Sequence, residues 1–205
     1  MEKHFSLENI LGMEGYYRRN LMNSISGFKP GNLIGTVSHR NVANVAVFNS
    51  VVHIGATPPL LGFIMRPLTV PRQTYHNIKA RGFFTVNAIT KDFYERAHQT
   101  SAKYDEMTPE FEACGLTPQY TGRHPAPYVQ ESPVKLGLQY EEEHHIKANG
   151  TLLIIGKVVE VLADSRLLGP EGHINLDQAG VVSVAGLDSY YVSELLGRLG
   201  YARPA

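Results

Sequence analysis

The chain has 205 residues, 43% of them hydrophobic, and its 19 Lys and Arg balance 19 Asp and Glu. That length suits one domain with a real core, and zero net charge argues against a sequence-independent nucleic-acid binder, which needs a basic surplus to displace phosphate counterions. The lone cysteine, Cys114, excludes an internal disulfide and suits a reducing compartment.

The start, "MEKHFSLENI", is charged and lacks a signal-peptide core. No run approaches the roughly 18 apolar residues of a membrane helix. A soluble, cytoplasmic protein is expected, with no nucleic-acid or membrane partner. Tyr16, Tyr17, Arg18 and Arg19 form an aromatic-basic cluster that reads as an arm packing on a partner subunit.

"LIGTVS" (33–38) is apolar and β-branched, hence a strand, and "NVANVAVFNSV" continues the β signal through Val42, Val45, Val47 and Val51. "PLLGFIMRP" is a further strand, entered through Pro58-Pro59 and ended by Pro67. A short helix follows, with Thr69 as N-cap, Pro71 in its first turn and Gly82 as its stop. "FFTVNAI" (83–89) is the next strand, and "KDFYERAHQTSAKY" is helical in composition. "TPEFEACG" predicts a helix capped by Thr108, with Pro109 first and Gly115 last. Residues 116–133 read as a proline-rich loop.

"VKLGLQYEEEHHI" alternates in polarity, Asn149-Gly150 marks a hairpin turn, and "TLLIIGKVVEVLA" returns as a long strand. In the tail, Tyr191, Leu195 and Leu199 stand at helical spacing. Many strands joined by turns, with short helices inserted, predict a mainly β protein, a β-barrel with helical additions. A single unit spanning 1–205 is expected, with its core over about 30–190, an N-terminal arm and a C-terminal helix.

No G-x-G-x-x-G, Walker lysine motif, H-E-x-x-H or C-x-x-C occurs, which leaves little support for nucleotide cradles or metal hydrolysis. Adjacent His144 and His145 would point to opposite faces of a strand, so a solvated hairpin arm is the expectation and no metal site is assigned. Cys114, on a helix, reads as a small buried hydrophobe. Ser50 and His53 stand three apart, but nothing orients the histidine as a base. What remains is a combination. Thr36 and Ser38 lie on one strand, Asn49, Ser50 and His53 on the next, Arg66 at the end of the third, and Arg72 and Thr74 at the following helix start. Hydroxyls, guanidiniums and helix N-terminal N–H groups are what a phosphate monoester needs. Together they outline a pocket for a flat, phosphorylated molecule.

From about residue 30 to about 190 the sequence resembles the flavin reductase-like family. The resemblance is carried by "VAVFNSVVHIGATPPLLGFIMRP", by "RQTYHNIKARGFFTVNAI", and by the later "PEFEACGL", "ESPVKLGLQYE", "LIIGKVVEV" and Gly186-x-x-x-Tyr190, which fall in the family's order. It implies an FMN-binding split β-barrel of Greek-key type, noncovalent FMN, a homodimer and redox chemistry. Asn49, Ser50, Val51 and Val52 would border the isoalloxazine and ribityl chain, with His53 beside them. Arg66, Arg72 and Thr74 would serve the phosphate, and Lys103 would approach the flavin. Many members carry Ser where this chain has Asn49. The implied activity is hydride transfer from NAD(P)H through flavin N5 to a flavin or another acceptor, with no protein acid or base required. The partner would be a small redox molecule or an electron-transfer protein. Two other readings stay open: an electron-carrier flavoprotein of the flavoredoxin type, and a non-catalytic flavin- or haem-binding module.

Overall fold

A computed structural model describes residues 1–204. The chain opens with two helices, α1 (Leu7–Gly12) and α2 (Gly15–Ser24). Local caps hold both. Ser6 and Asn9 exchange bonds in a capping box, and the Glu14 carboxylate accepts the N–H groups of Tyr16 and Tyr17. Those two bonds pull the Glu14 carboxyl below its ordinary value. Neither helix has a buried residue, so this arm lies on the surface of the chain.

The remaining elements follow in chain order: β1 (Lys29–Pro30), β2 (Asn32–Val37), β3 (Ala43–Phe48), β4 (Val52–Ala56), β5 (Pro59–Met65), α3 (Gln73–Arg81), β6 (Phe83–Ala88), α4 (Tyr94–Gln99), α5 (Glu110–Ala113), β7 (Pro118–Gln119), β8 (Tyr128–Val129), β9 (Val134–Ile146), β10 (Thr151–Ala163), a 3₁₀ turn at Ser165–Leu167, β11 (Val182–Ala185) and β12 (Ser189–Val192).

Seven strands form one antiparallel sheet in the order β3-β2-β6-β9-β10-β5-β4. The first and last strands of that order, β3 and β4, are consecutive in the chain and only residues 49–51 separate them. Laid flat, strands six places apart would stand roughly 29 Å from each other. Four steps of backbone, Phe48 to Val52, reach at most about 14 Å. The sheet therefore has to curl until its edges meet. The long β9–β10 hairpin does much of the bending, because its register shifts twice, at Ile155/Gly156 and at Val158/Glu160. Gly156 belongs to the first of these bulges, and a Cβ there would lie 2.5 Å from Cζ of Phe84.

Two apolar clusters fill the two sides of the curled sheet. Ile34, Phe63, Met65, Phe84, Val86, Leu138 and Ile154 pack with Ile78 of α3. Leu33, Val45 and Ile89 pack instead with Phe93, Ala97, Phe111 and Cys114 from the α4–α5 side. Neighbouring Leu33 and Ile34 thus serve opposite clusters, as strand alternation demands. Burial on both faces is why "LIGTVS" is nearly unbroken in apolarity. Cys114 is buried, as its reading as a small hydrophobe anticipated.

The mainly β expectation agrees with the structure, and four element boundaries do not; one is α5, which begins at Glu110 with Pro109 at its N-cap rather than behind a Thr108 cap. The helix after β5 begins at Gln73, not behind a Thr69 cap. Capping by Thr69 would make Val70 helical, and the following Pro71 disfavours that conformation. The helix expected over 91–104 is confined to α4, where Thr100 donates to the Ala97 carbonyl and turns the chain away. No C-terminal helix forms among the described residues. Tyr191 belongs to β12, and the described residues after Val192 have no regular structure. Leu196 and Leu199 are 100% and 98% exposed. Without a packed face, a short segment carrying Gly197 and Gly200 does not recover the cost of helix nucleation. The loop at 116–133 does contain the small β7–β8 pair.

Candidate functional site

The seam of the curled sheet is where the candidate residues gather. Asn49 and Ser50 lie in the break between β3 and β4, outside both ladders: Phe48 is the last partner of β2, and Val52 the first of β5. The Ser50 hydroxyl accepts the Ile64 N–H at 3.1 Å and donates to the Ile64 carbonyl at 3.3 Å. A side chain here substitutes for a ladder pair and extends the β4–β5 register one step past Val52↔Gly62. Asn49 Nδ2 donates to the carbonyl of Gly186, 3.0 Å away, which ties the β11–β12 turn to the seam. Gly186 has φ +67°, a left-handed conformation that glycine adopts without strain. Val51 packs on the inner cluster, whereas Val52 and His53 face outwards on β4. Ser50 is thus bonded to backbone, and His53 stands exposed.

Two residues beyond Ile64 the strand ends, and Arg66 is exposed. Arg72 Nε approaches the neighbouring Pro67 carbonyl at 3.4 Å, which brings the start of α3 beside the end of β5. This helix start has no side-chain cap. Among the described residues, the N–H groups of Gln73, Thr74 and Tyr75 have no acceptor, and the first bonded amide is His76, to Arg72. Thr74 is buried between them and the sheet. Unused N–H groups, the positive end of the helix dipole and two guanidiniums make an anion site in physical terms. A phosphate monoester fits that donor set. Lys103 is exposed in the segment between α4 and α5, whose Glu106 reaches the α3 start.

Thr36 and Ser38 are both engaged within the chain. Thr36 is 0% exposed, and its hydroxyl accepts from Asn77 Nδ2 at 3.0 Å. The Ser38 hydroxyl accepts the Val42 N–H, and the Ser38 carbonyl receives the Arg81 guanidinium. Both help hold α3 against the sheet; Thr36 is fully buried, and Ser38 also lines a small cavity with Asn44, Gln73 and Asn77. The alternating strand pattern of β2 does not separate a hydroxyl that faces a helix from one that faces a ligand.

Three features escaped the sequence reading. Buried Asn44 and Glu110 and half-buried Gln73 form a polar cluster beneath the α3 start. Gly186 supplies its carbonyl to the seam. Tyr190 meets His98 Nδ1 at 3.0 Å, and burial pushes its phenol up to about 12. Gly186 and Tyr190 were marked only as the ends of a Gly-x-x-x-Tyr motif, and their bonds carried no local signal.

The flavin reductase-like domain profile matches residues 25–178. The chain belongs to the flavin reductase-like family. A crystal structure from Shewanella frigidimarina, assigned as a flavin reductase with a split barrel domain, is 44% identical, with 98% of this chain and 100% of that one covered and a TM-score of 0.94. Nitrilotriacetate monooxygenase component B from Bacillus cereus shares the fold at 20% identity and a TM-score of 0.85, over 97% and 100% of the two chains. Flavoredoxin of Desulfovibrio vulgaris is 25% identical, with 83% and 90% covered and a TM-score of 0.73. In this flavin reductase-like chain the curled seven-stranded sheet is accordingly the split barrel that the resemblance implied, and Ser50 and Asn49 lie on its seam.

Proposed function

We propose that this protein binds FMN noncovalently and acts as an NAD(P)H-dependent oxidoreductase. The observation that carries the reading is the uncapped start of α3, where the N–H groups of Gln73, Thr74 and Tyr75 are unused next to Arg72. It stands beside Arg66, at the end of the strand that Ser50 pins to the seam. Family membership supplies the class of ligand. In this reading Gln73, Thr74, Arg72 and Arg66 hold the phosphate. Asn49, Ser50, Val51 and Val52 border the ring system, and His53 and Lys103 stand at its margin. When bound, FMN supplies the redox chemistry, taking hydride from the nicotinamide and releasing electrons to an acceptor. The chain orients the ring at the seam, and backbone donors with nearby cations favour the charge of the reduced form.

The reading includes a homodimer in the cytoplasm. The outward apolar side chains of β4, with Val52 47% and Ile54 42% exposed, favour a covered face. No helix among the described residues is long and apolar enough to cross a membrane. A free cysteine also fits a reducing compartment.

The test is direct. Purified protein mixed with FMN should quench flavin fluorescence, and NADH or NADPH added without oxygen should bleach the bound flavin. No bleaching with either nucleotide overturns the reductase reading. It leaves the electron-carrier role, which the likeness to flavoredoxin favours as the second reading.

A further inference from the structure

Beneath the start of α3 lies a polar cluster with an uneven count of protons. Glu110, 6% exposed, comes from α5, Asn44 from β3 and Gln73 from the first position of α3. Glu110 Oε2 accepts the Val45 N–H at 3.1 Å. Val45 lies on β3, an edge strand of the seven-stranded order, so this carboxyl caps an otherwise free strand edge.

The near ends of the Asn44 and Gln73 amides are 2.9 Å apart. The Asn44 end is 3.1 Å from Glu110 Oε2, and the Gln73 end is 3.2 Å from Oε1. To bond each other, one near end must be NH₂ and the other C=O. Two backbone N–H groups bear on the choice: that of Glu106 lies 3.0 Å from the far end of Gln73, and that of Val45 lies 3.1 Å from the far end of Asn44. Both cannot meet an amide oxygen while the near ends bond each other, and the Val45 N–H already has Glu110 Oε2 as its acceptor. The near end of Gln73 is therefore NH₂, donating to Glu110 Oε1 and to Asn44 Oδ1. Asn44 Oδ1 is then left facing Glu110 Oε2. Two oxygens at 3.1 Å repel when both are acceptors and bond when one carries a proton. That contact is a bond only with a neutral carboxylic acid.

Building on the FMN reading above, we propose that Glu110 is a positioning residue, a neutral acid that locks the phosphate-binding start of α3 to β3 and takes up a proton when the flavin phosphate binds. The mechanism is charge and position. A carboxylate here would repel an anion at the neighbouring helix start and would break the Asn44 contact. The neutral acid does neither. By reciprocity, an anion bound at the helix start raises the proton affinity of Glu110.

The surroundings agree. Burial already pushes the Glu110 carboxyl up to about 7, against the pull of the Val45 N–H. From α5, Cys114 has its thiol pushed up by burial, and Tyr104, from the segment before α5, has its phenol pushed up by the Cys114 contact. Both are neutral near pH 7. Glu106 meets the cluster through its backbone N–H, β3 offers only Asn44 and Val45, and Arg72 precedes Gln73 on the α3 side.

The experiment is calorimetric titration of FMN and of riboflavin, which lacks the phosphate, into wild type and Glu110→Gln. It is run in two buffers of different ionisation enthalpy, between about pH 6 and pH 8.5, where this acid and a phosphate monoester both titrate. Wild type should take up protons on binding FMN but not riboflavin. Its FMN affinity should fall on the order of fivefold from about pH 7 to 8.5, where the phosphate is already a dianion. Glu110→Gln, which has no proton to exchange at this position, should lose both the uptake and the slope. Uptake and slope unchanged in Glu110→Gln overturn the proposal, and so does FMN binding by wild type with no proton uptake. A wild type that binds neither flavin overturns the functional reading itself. Carboxyl ¹³C NMR of the wild type gives an answer even if the variant misfolds. A Glu110 signal titrating near neutrality and shifted by FMN, but not by riboflavin, supports the proposal. Titration in the ordinary carboxylate range overturns it.

Discussion

The Ser50 hydroxyl bonds both backbone groups of Ile64, accepting its N–H at 3.1 Å and donating to its carbonyl at 3.3 Å. One side chain thereby extends the β4–β5 pairing into the break between β3 and β4. Ser50→Ala leaves the half-buried Ile64 N–H without its acceptor. It should cost about 1–2 kcal/mol of folding stability. Urea denaturation of the flavin-free protein measures this, and an unchanged midpoint would show that the β4–β5 pairing holds without the hydroxyl.

The anion site at the start of α3 makes a different demand. Arg66→Ala and Arg72→Ala should each weaken FMN binding about tenfold, the scale of one lost charge-assisted contact, and leave riboflavin binding nearly unchanged. Fluorescence titration with both flavins separates the outcomes. Equal losses for FMN and riboflavin would place these guanidiniums at the ring instead.

On the far side of the barrel the fully buried Tyr128 donates to Glu160 Oε2 at 2.6 Å, and Thr121 donates to the same oxygen at 3.0 Å. The Tyr128 bond, then the Thr121 bond, hold the Glu160 carboxyl below its ordinary value. A depressed folded value means stability that is present above the unfolded value, about 4.5, and lost as the pH falls through the lower folded one. Tyr128→Phe should therefore destabilise by about 1–2 kcal/mol at neutral pH. The gap from wild type should narrow in melts below about pH 4. A gap independent of pH would assign the loss to packing.

At the first bulge of the β9–β10 hairpin, Gly156→Ala drives a methyl group towards the Phe84 ring and to 3.1 Å from Leu138 Cδ2. Overpacking of this kind costs about 1–3 kcal/mol. A melting temperature equal to the wild type would mean that Phe84 has room to turn.

Composition and period carried the reading of the sequence to the strands, because alternating apolar residues and turn signals are local. Asn149-Gly150 closes the β9–β10 hairpin as expected, with Gly150 at φ +73°. The reading failed where a partner distant in sequence decides. The Thr36 hydroxyl looked available until Asn77 occupied it from 41 positions away, and Glu110 reaches Val45 across 65. The helical spacing of Leu195 and Leu199 was real, but no surface lies against it in the chain. Asn49 and Ser50 were picked out as polar residues within an apolar run. Their bonds to Gly186 and Ile64 could not be read from spacing at all.

The short link between β3 and β4 also bears on how the molecule assembles. The β2–β3, β4–β5 and β9–β10 hairpins pair neighbours in sequence and can form early. The joints that unite them pair distant residues, such as Leu60 with Lys157 and Phe83 with Gln139. Contacts of that range are slow to form, because loop entropy is lost before they give any return. Residues 49–51 reach their final shape only after those joints exist. A nascent or half-assembled chain therefore has no formed seam, and the earliest time at which a ligand can dock there is set by the last strand pairing.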